Sequence, residues 1–147
     1  MTDIIDSLKR LERVGSENSK TTEKLIAAAR ELSAKIVSHF DNCKDGEIVV
    51  ASNHDSPMIH HPDSSKPLTP WKHTYRIFDG QLHFDTRRFR SGKVHMDHEY
   101  VAADRENAFA FSEDVAAGLL DGIAEALEAR SSKSKEVLPS LTAALKK

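Results

Sequence analysis

Apolar and polar positions alternate most regularly between Lys72 and Val101, in KHTYRIFDGQLHFDTRRFRSGKVHMDHEYV. A period of two argues for strands, and Asp79-Gly80 supplies a hairpin turn. A type I′ turn needs positive φ at both central residues, which Asp and Gly tolerate. That turn pairs Ile77 with Leu82, Tyr75 with Phe84 and His73 with Thr86 on an apolar face. It pairs Arg76 with His83, Thr74 with Asp85 and Lys72 with Arg87 on an ionic face, as a half-buried antiparallel sheet requires.

The second turn, around Arg90-Ser91-Gly92, admits two registers. A two-residue loop at Ser91-Gly92 sets Glu99 opposite Phe84, with a charge on the apolar face. A three-residue loop with Gly92 left-handed sets Val94, Met96, His98 and Tyr100 beside Arg88, Thr86, Phe84 and Leu82. The second keeps the apolar face mostly apolar and is the expected one. His98 then reads as a hydrogen-bonded core histidine. The ionic rungs become Arg76–His83–Glu99, Thr74–Asp85–Asp97 and Lys72–Arg87–His95, with Asp85 against Asp97 offset by Arg76 and Arg87 on the diagonals.

Helical spacing takes over on both sides of this ribbon. Ile4, Ile5, Leu8, Leu11 and Val14 make one amphipathic stripe, and Leu25, Ala28, Ala29, Leu32, Ile36 and Phe40 make another. The polar stretch Gly15 to Thr22 predicts a break between two helices, the second running to about Asn42. Positions 4, 8, 11, 25, 29, 32 and 36 share one heptad frame, but Gly15, Asn18 and Thr22 interrupt its seam. Two helices packed within the domain are therefore the expectation.

Asp45-Gly46 marks a turn before a short strand, Glu47 to Ser52. Residues 53–71 hold four of the five prolines and no periodicity, as a functional or lid-like loop does. Downstream, AADREN reads as a turn, and Ala108 to Phe111 as an edge strand or the start of a helix. Ser112 is the expected N-cap of a helix carrying Val115, Ala116, Leu119, Leu120, Ile123 and Leu127. Gly118 and Gly122 point to a close backbone approach. Ser131 to Lys135 reads as a linker, with a last short helix over Val137, Leu138, Leu141, Ala144 and Leu145 that starts near Pro139.

The fold class is α+β in a single domain, residues 1–147. It has two N-terminal helices, an antiparallel meander of four or five strands, and a long and a short C-terminal helix, all packed on one sheet face. Residues 1–15 form a helix that is partly detached, and residues 131–147 a tail helix.

Composition narrows the functions. Charged residues make up 30% of the chain at a formal net charge of −2, which gives no overall pull toward nucleic acid or an anionic membrane. Cys43 is the only cysteine, so neither an intrachain disulfide nor a Cys-rich zinc site is expected. The charged N-terminus does not read as a signal peptide, and no apolar run reaches the roughly 18–20 residues of a spanning helix. The chain reads as cytoplasmic.

No Walker loop, G-x-S-x-G or recognisable Cys–His pattern is present, so the chain leans away from enzymes and no cofactor is expected. Three constellations remain. The ionic face (Arg76, His83, Asp85, Arg87, His95, Asp97 and Glu99) is the expected docking surface for a partner protein, with self-association as a companion. Within it His83, Asp85, Asp97 and Glu99 form an alternative metal or acid–base quartet, since divalent cations need convergent carboxylates with or without imidazole.

The hairpin tip offers Arg87, Arg88, Phe89, Arg90 and Lys93 as an alternative grip on nucleic acid. The loop holds His54, Asp55, His60, His61 and Asp63, with Met58 and Trp71 as apolar anchors, at no specific ligand spacing.

Overall fold

The computed structural model describes residues 3–40, 45–56 and 71–146, the side chains of 53–56 and 88–90 aside. Its first element is one helix, not two: α1, Ile4–Ser38. Asp3 caps it by accepting the Ile5 N–H at 3.1 Å. Gly15 and the Ser, Asn and Thr residues after it lower helix propensity by a few tenths to about 1 kcal/mol each. They supply no competing cap, and Thr21 instead donates its hydroxyl to the Glu17 carbonyl within the helix, at 2.9 Å. The helix therefore runs through them.

The sheet is an antiparallel meander, as expected, and has four strands, β1 (Glu47–Ser56), β2 (Trp71–Phe78), β3 (Gln81–Arg90) and β4 (Lys93–Tyr100), in spatial order β1-β2-β3-β4. Asp79 and Gly80 take φ of 50° and 72°. Tyr75–Phe84, Arg76–His83 and Ile77–Leu82 pair as the turn dictates.

The second hairpin takes the other register. Ser91 and Gly92 have φ of 51° and 75°, which is again a two-residue turn, and Phe84 pairs with Glu99, Asp85 with His98 and Arg87 with Met96. A charge opposite Phe84 is tolerable because β4 is the edge strand, and Glu99 there is only half-buried. Turn geometry wins, since Ser91 and Gly92 both take the positive φ of a two-residue turn, even though Glu99 Oε2 becomes buried.

The segment after β4 is helical. Asp104 caps α2 (Arg105–Ala116), its carboxylate accepting the Asn107 N–H at 2.8 Å. Ser112 lies inside α2 and bonds the Phe109 carbonyl rather than capping, so Ala108 to Phe111 is helix and not an edge strand. Gly118, at φ 103°, makes the joint to α3 (Leu119–Leu145). That helix passes through Ser131–Lys135 without a break and contains Pro139. All residues from 128 to 146 are exposed, so water can satisfy the carbonyl that proline leaves unbonded.

Tyr75, Ile77, Leu82 and Phe84 of the sheet share one apolar core with Ala29 and Ile36 of α1, Ala108 and Phe111 of α2, and Leu119 and Ile123 of α3. A Cβ on Gly122 would stand 3.3 Å from Val50 Cγ2, so the second glycine does permit α3 to approach β1 closely. Among the described residues no helix is long and apolar enough to cross a membrane.

Candidate functional site

The observed register divides the expected ionic face. In an antiparallel pair, directly opposed residues share a face and alternate residues change it. His83 and Asp85 therefore lie with Tyr100 and His98, and Arg87 with Met96. Glu99 and Asp97 lie on the other side, with Phe84 and Thr86, and His95 follows them by alternation. The rungs Arg76–His83–Glu99, Thr74–Asp85–Asp97 and Lys72–Arg87–His95 do not form.

The metal quartet of His83, Asp85, Asp97 and Glu99 is split two and two. Among the described residues no group of three His, Cys, Asp or Glu side chains could hold a metal ion. His98 is exposed rather than core.

At the hairpin tip, the Arg87 guanidinium stacks on Trp71, 4.5 Å from the ring centre, and Lys93 is exposed. The side chains of Arg88, Phe89 and Arg90 lie outside the described residues, as do those of His54 and Asp55 and all of Cys43, Met58, His60, His61 and Asp63.

A different polar cluster lies beneath the sheet. Pairing between β2 and β3 stops at Tyr75–Phe84. Between β1 and β2, Ala51 pairs with Thr74 and Asp55 with Lys72, so Ser52, Asn53 and His54 face the single residue His73. Side chains fill both gaps: the His73 N–H donates to Ser52 Oγ at 3.0 Å, and the Thr74 N–H donates to Asp85 Oδ1. Asp85 is therefore buried and occupied with backbone, which is why it is not available as a ligand.

Next to that gap, His73 Nδ1 lies 2.8 Å from Asp114 Oδ2, and the Tyr75 hydroxyl donates to the same oxygen. Asp114 Oδ1 is buried with no hydrogen-bond partner among the described residues. Burial first, then the charge of Asp114 and its hydrogen bond, then the charge of Asp85, hold the Tyr75 phenol far above its ordinary range. The imidazole packs edge-on against Phe84, centroids 4.8 Å apart.

A histidine oriented by a carboxylate is the supporting half of an acid–base site. Here His73 is 3% exposed and the Asp114 side chain 0%, so the cluster is closed to substrate and serves to tie α2 to β2. Asp114 does not stand out among the candidate residues of the sequence. The overlooked signal is its phase: Ala108, Phe111 and Asp114 recur every third residue, which sets a carboxylate in an apolar stripe.

Two surfaces remain bare. The first is the sheet face opposite the core, which no described element covers. Phe78 lies between His83 and His98, centroids at 5.4 and 5.3 Å, and Tyr100 continues from His83 at 5.9 Å. Ile48, Val94 and Met96 flank them, 48–58% exposed.

The second surface is a pair of helical arms. All residues of α1 from 4 to 21 are exposed, including Ile4 at 76% and Leu11 at 66%. On α3 the exposed stripe is Val137, Leu138, Leu141 and Leu145. The buried half of α1 ends near Phe40, where the Arg130 guanidinium of α3 lies 5.8 Å from the ring centre and pairs with Glu47. The α3 arm thus starts beside the C-terminal end of that buried half, and the α1 arm leaves from its N-terminal end.

No family model, curated protein or solved structure matches this chain.

Proposed function

We propose that this chain is a non-enzymatic protein-interaction module that docks through its helical arms, and that the α1 arm pairs with the α1 arm of a second copy. The observation that carries the reading is the disposition of the two apolar stripes. They depart from opposite ends of the buried half of α1, so neither can cover the other within one molecule. Exposed apolar stripes at helical spacing are what helix-in-groove and helix-on-helix partners bury.

Ile4, Ile5, Leu8, Leu11 and Val14 lie on one side of the arm, while Lys9, Arg10 and Arg13 lie on the other, as a two-helix seam requires. A two-fold axis across the arm buries the same stripe on both copies, the commonest closed arrangement of like chains.

Sedimentation equilibrium tests it. A dimer mass is expected for the full chain, and a monomer mass with an unchanged circular dichroism spectrum for the double substitution Leu8→Glu and Leu11→Glu. A monomer mass for the unmodified chain up to about 0.1 mM, where a contact worth roughly 6 kcal/mol would already dimerise it appreciably, would remove the proposal.

A further inference from the structure

We infer that the bare face of the sheet binds single-stranded nucleic acid, with bases stacked on Phe78, His83, His98 and Tyr100 and phosphates met by Lys72 and Arg76. The rings come from β2, β3 and β4 and succeed one another across the strands at 5.3–5.9 Å between centroids. A four-stranded antiparallel sheet with rings on its open face suits unstacked bases, because every base has a π-face and stacking tolerates any sequence. A duplex keeps those faces inside its own stack and offers the sheet only a backbone.

Charge on the face agrees. Lys72 is exposed, and Arg76 is half-buried with its Nη1 anchored 3.4 Å from the Gly46 carbonyl. Among the described strand side chains on that face the only carboxylate is Asp85, which is buried against the Thr74 N–H. Arg76 pairs directly with the ring-bearing His83, and Lys72 lies further along the same strand, while the exposed Asp79 belongs to the turn after Phe78. A polyanion with aromatic bases matches both features. An acidic peptide would use the cations but leave the rings without partners. The surface is separate from the helical arms, so the two proposals stand or fall independently.

The probe is a fluorescein-labelled oligo-dT, and in parallel oligo-U, of about 20 nucleotides, long enough for one sheet face, read by fluorescence anisotropy. Binding is expected at 50 mM salt, weakening roughly sevenfold by 200 mM if about two phosphates are met. Phe78→Ala with His98→Ala is expected to lower affinity tenfold or more, roughly the loss of one to two stacked bases, with the circular dichroism spectrum unchanged. Lys72→Gln with Arg76→Gln, which removes no ring, is expected to flatten the salt dependence.

No anisotropy change at 50 mM salt with about 0.1 mM protein, a millimolar-or-weaker affinity, overturns the inference. So does binding that survives loss of the rings, that polyglutamate competes away as well as unlabelled oligo-dT does, or that is equal for duplex.

Discussion

The two faces of the sheet are made by the same four strands, yet they obey different constraints. On the covered face Tyr75, Leu82 and Phe84 have no exposed surface, and each polar group there must find a partner or go unsatisfied at a cost. His73 and Tyr75 meet that demand through one carboxylate oxygen of Asp114. On the other face Phe78, His83 and His98 lie side by side with water still available, and Tyr100, next to His83, also packs against the core. Side chains of the covered face carry the packing of the fold, and those of the other face carry much less of it.

Substitutions can separate these roles, and the largest effect is expected in the core. Phe84→Ala should lower stability by about 3–5 kcal/mol, as loss of a buried aromatic ring does, measured by urea unfolding. A loss near 1 kcal/mol would mean that the covered face is loosely packed. Asp114→Ala should cost about 2–4 kcal/mol, because two buried donors, His73 Nδ1 and the Tyr75 hydroxyl, lose their acceptor together.

Alkaline pH tests the same cluster without that mutation. The folded Tyr75 phenol holds its proton far above the ordinary range, whereas in the unfolded chain it releases it near pH 10. Above about pH 10 the unfolded state therefore binds fewer protons, and stability falls as pH rises, by up to about 1.4 kcal/mol per pH unit for one group. Tyr75→Phe should remove that slope, although it starts from a less stable protein at pH 7. An identical alkaline slope in both proteins would show that Tyr75 is not the group responsible. The smallest effect belongs to the bare face, where Phe78→Ala should change stability by about 1 kcal/mol or less.

Much of this arrangement was legible in the residues. Asp79-Gly80 determined the first hairpin and its pairings, and the period-two stripe identified the covered face. The second hairpin was misread because the charge of Glu99 was weighed above the turn geometry of Ser91-Gly92, which sets the register even though Glu99 Oε2 is buried. That single shift moved Asp97 and Glu99 off the expected ionic face and brought His98 and Tyr100 in their place.

The helix through Gly15–Thr22 was missed for a related reason. Weak helix formers lower a propensity sum, but only a competing cap or turn ends a helix. Asp114 escaped notice because sequence shows where a carboxylate sits along a helix, and its partners His73 and Tyr75 are 41 and 39 positions away.

Ser52 and Asp85 take the place of backbone carbonyls for the amides of His73 and Thr74. In an unbroken ladder, exchange of an amide proton with solvent reports strands parting from one another. Here each of the two protons is released by a rotation about a single side chain, with the strands still in place. Isotope exchange at His73 and Thr74 would therefore keep its own clock, set by the torsions of a serine and an aspartate, while Arg76, paired with His83 inside the regular hairpin, would keep that of the whole fold.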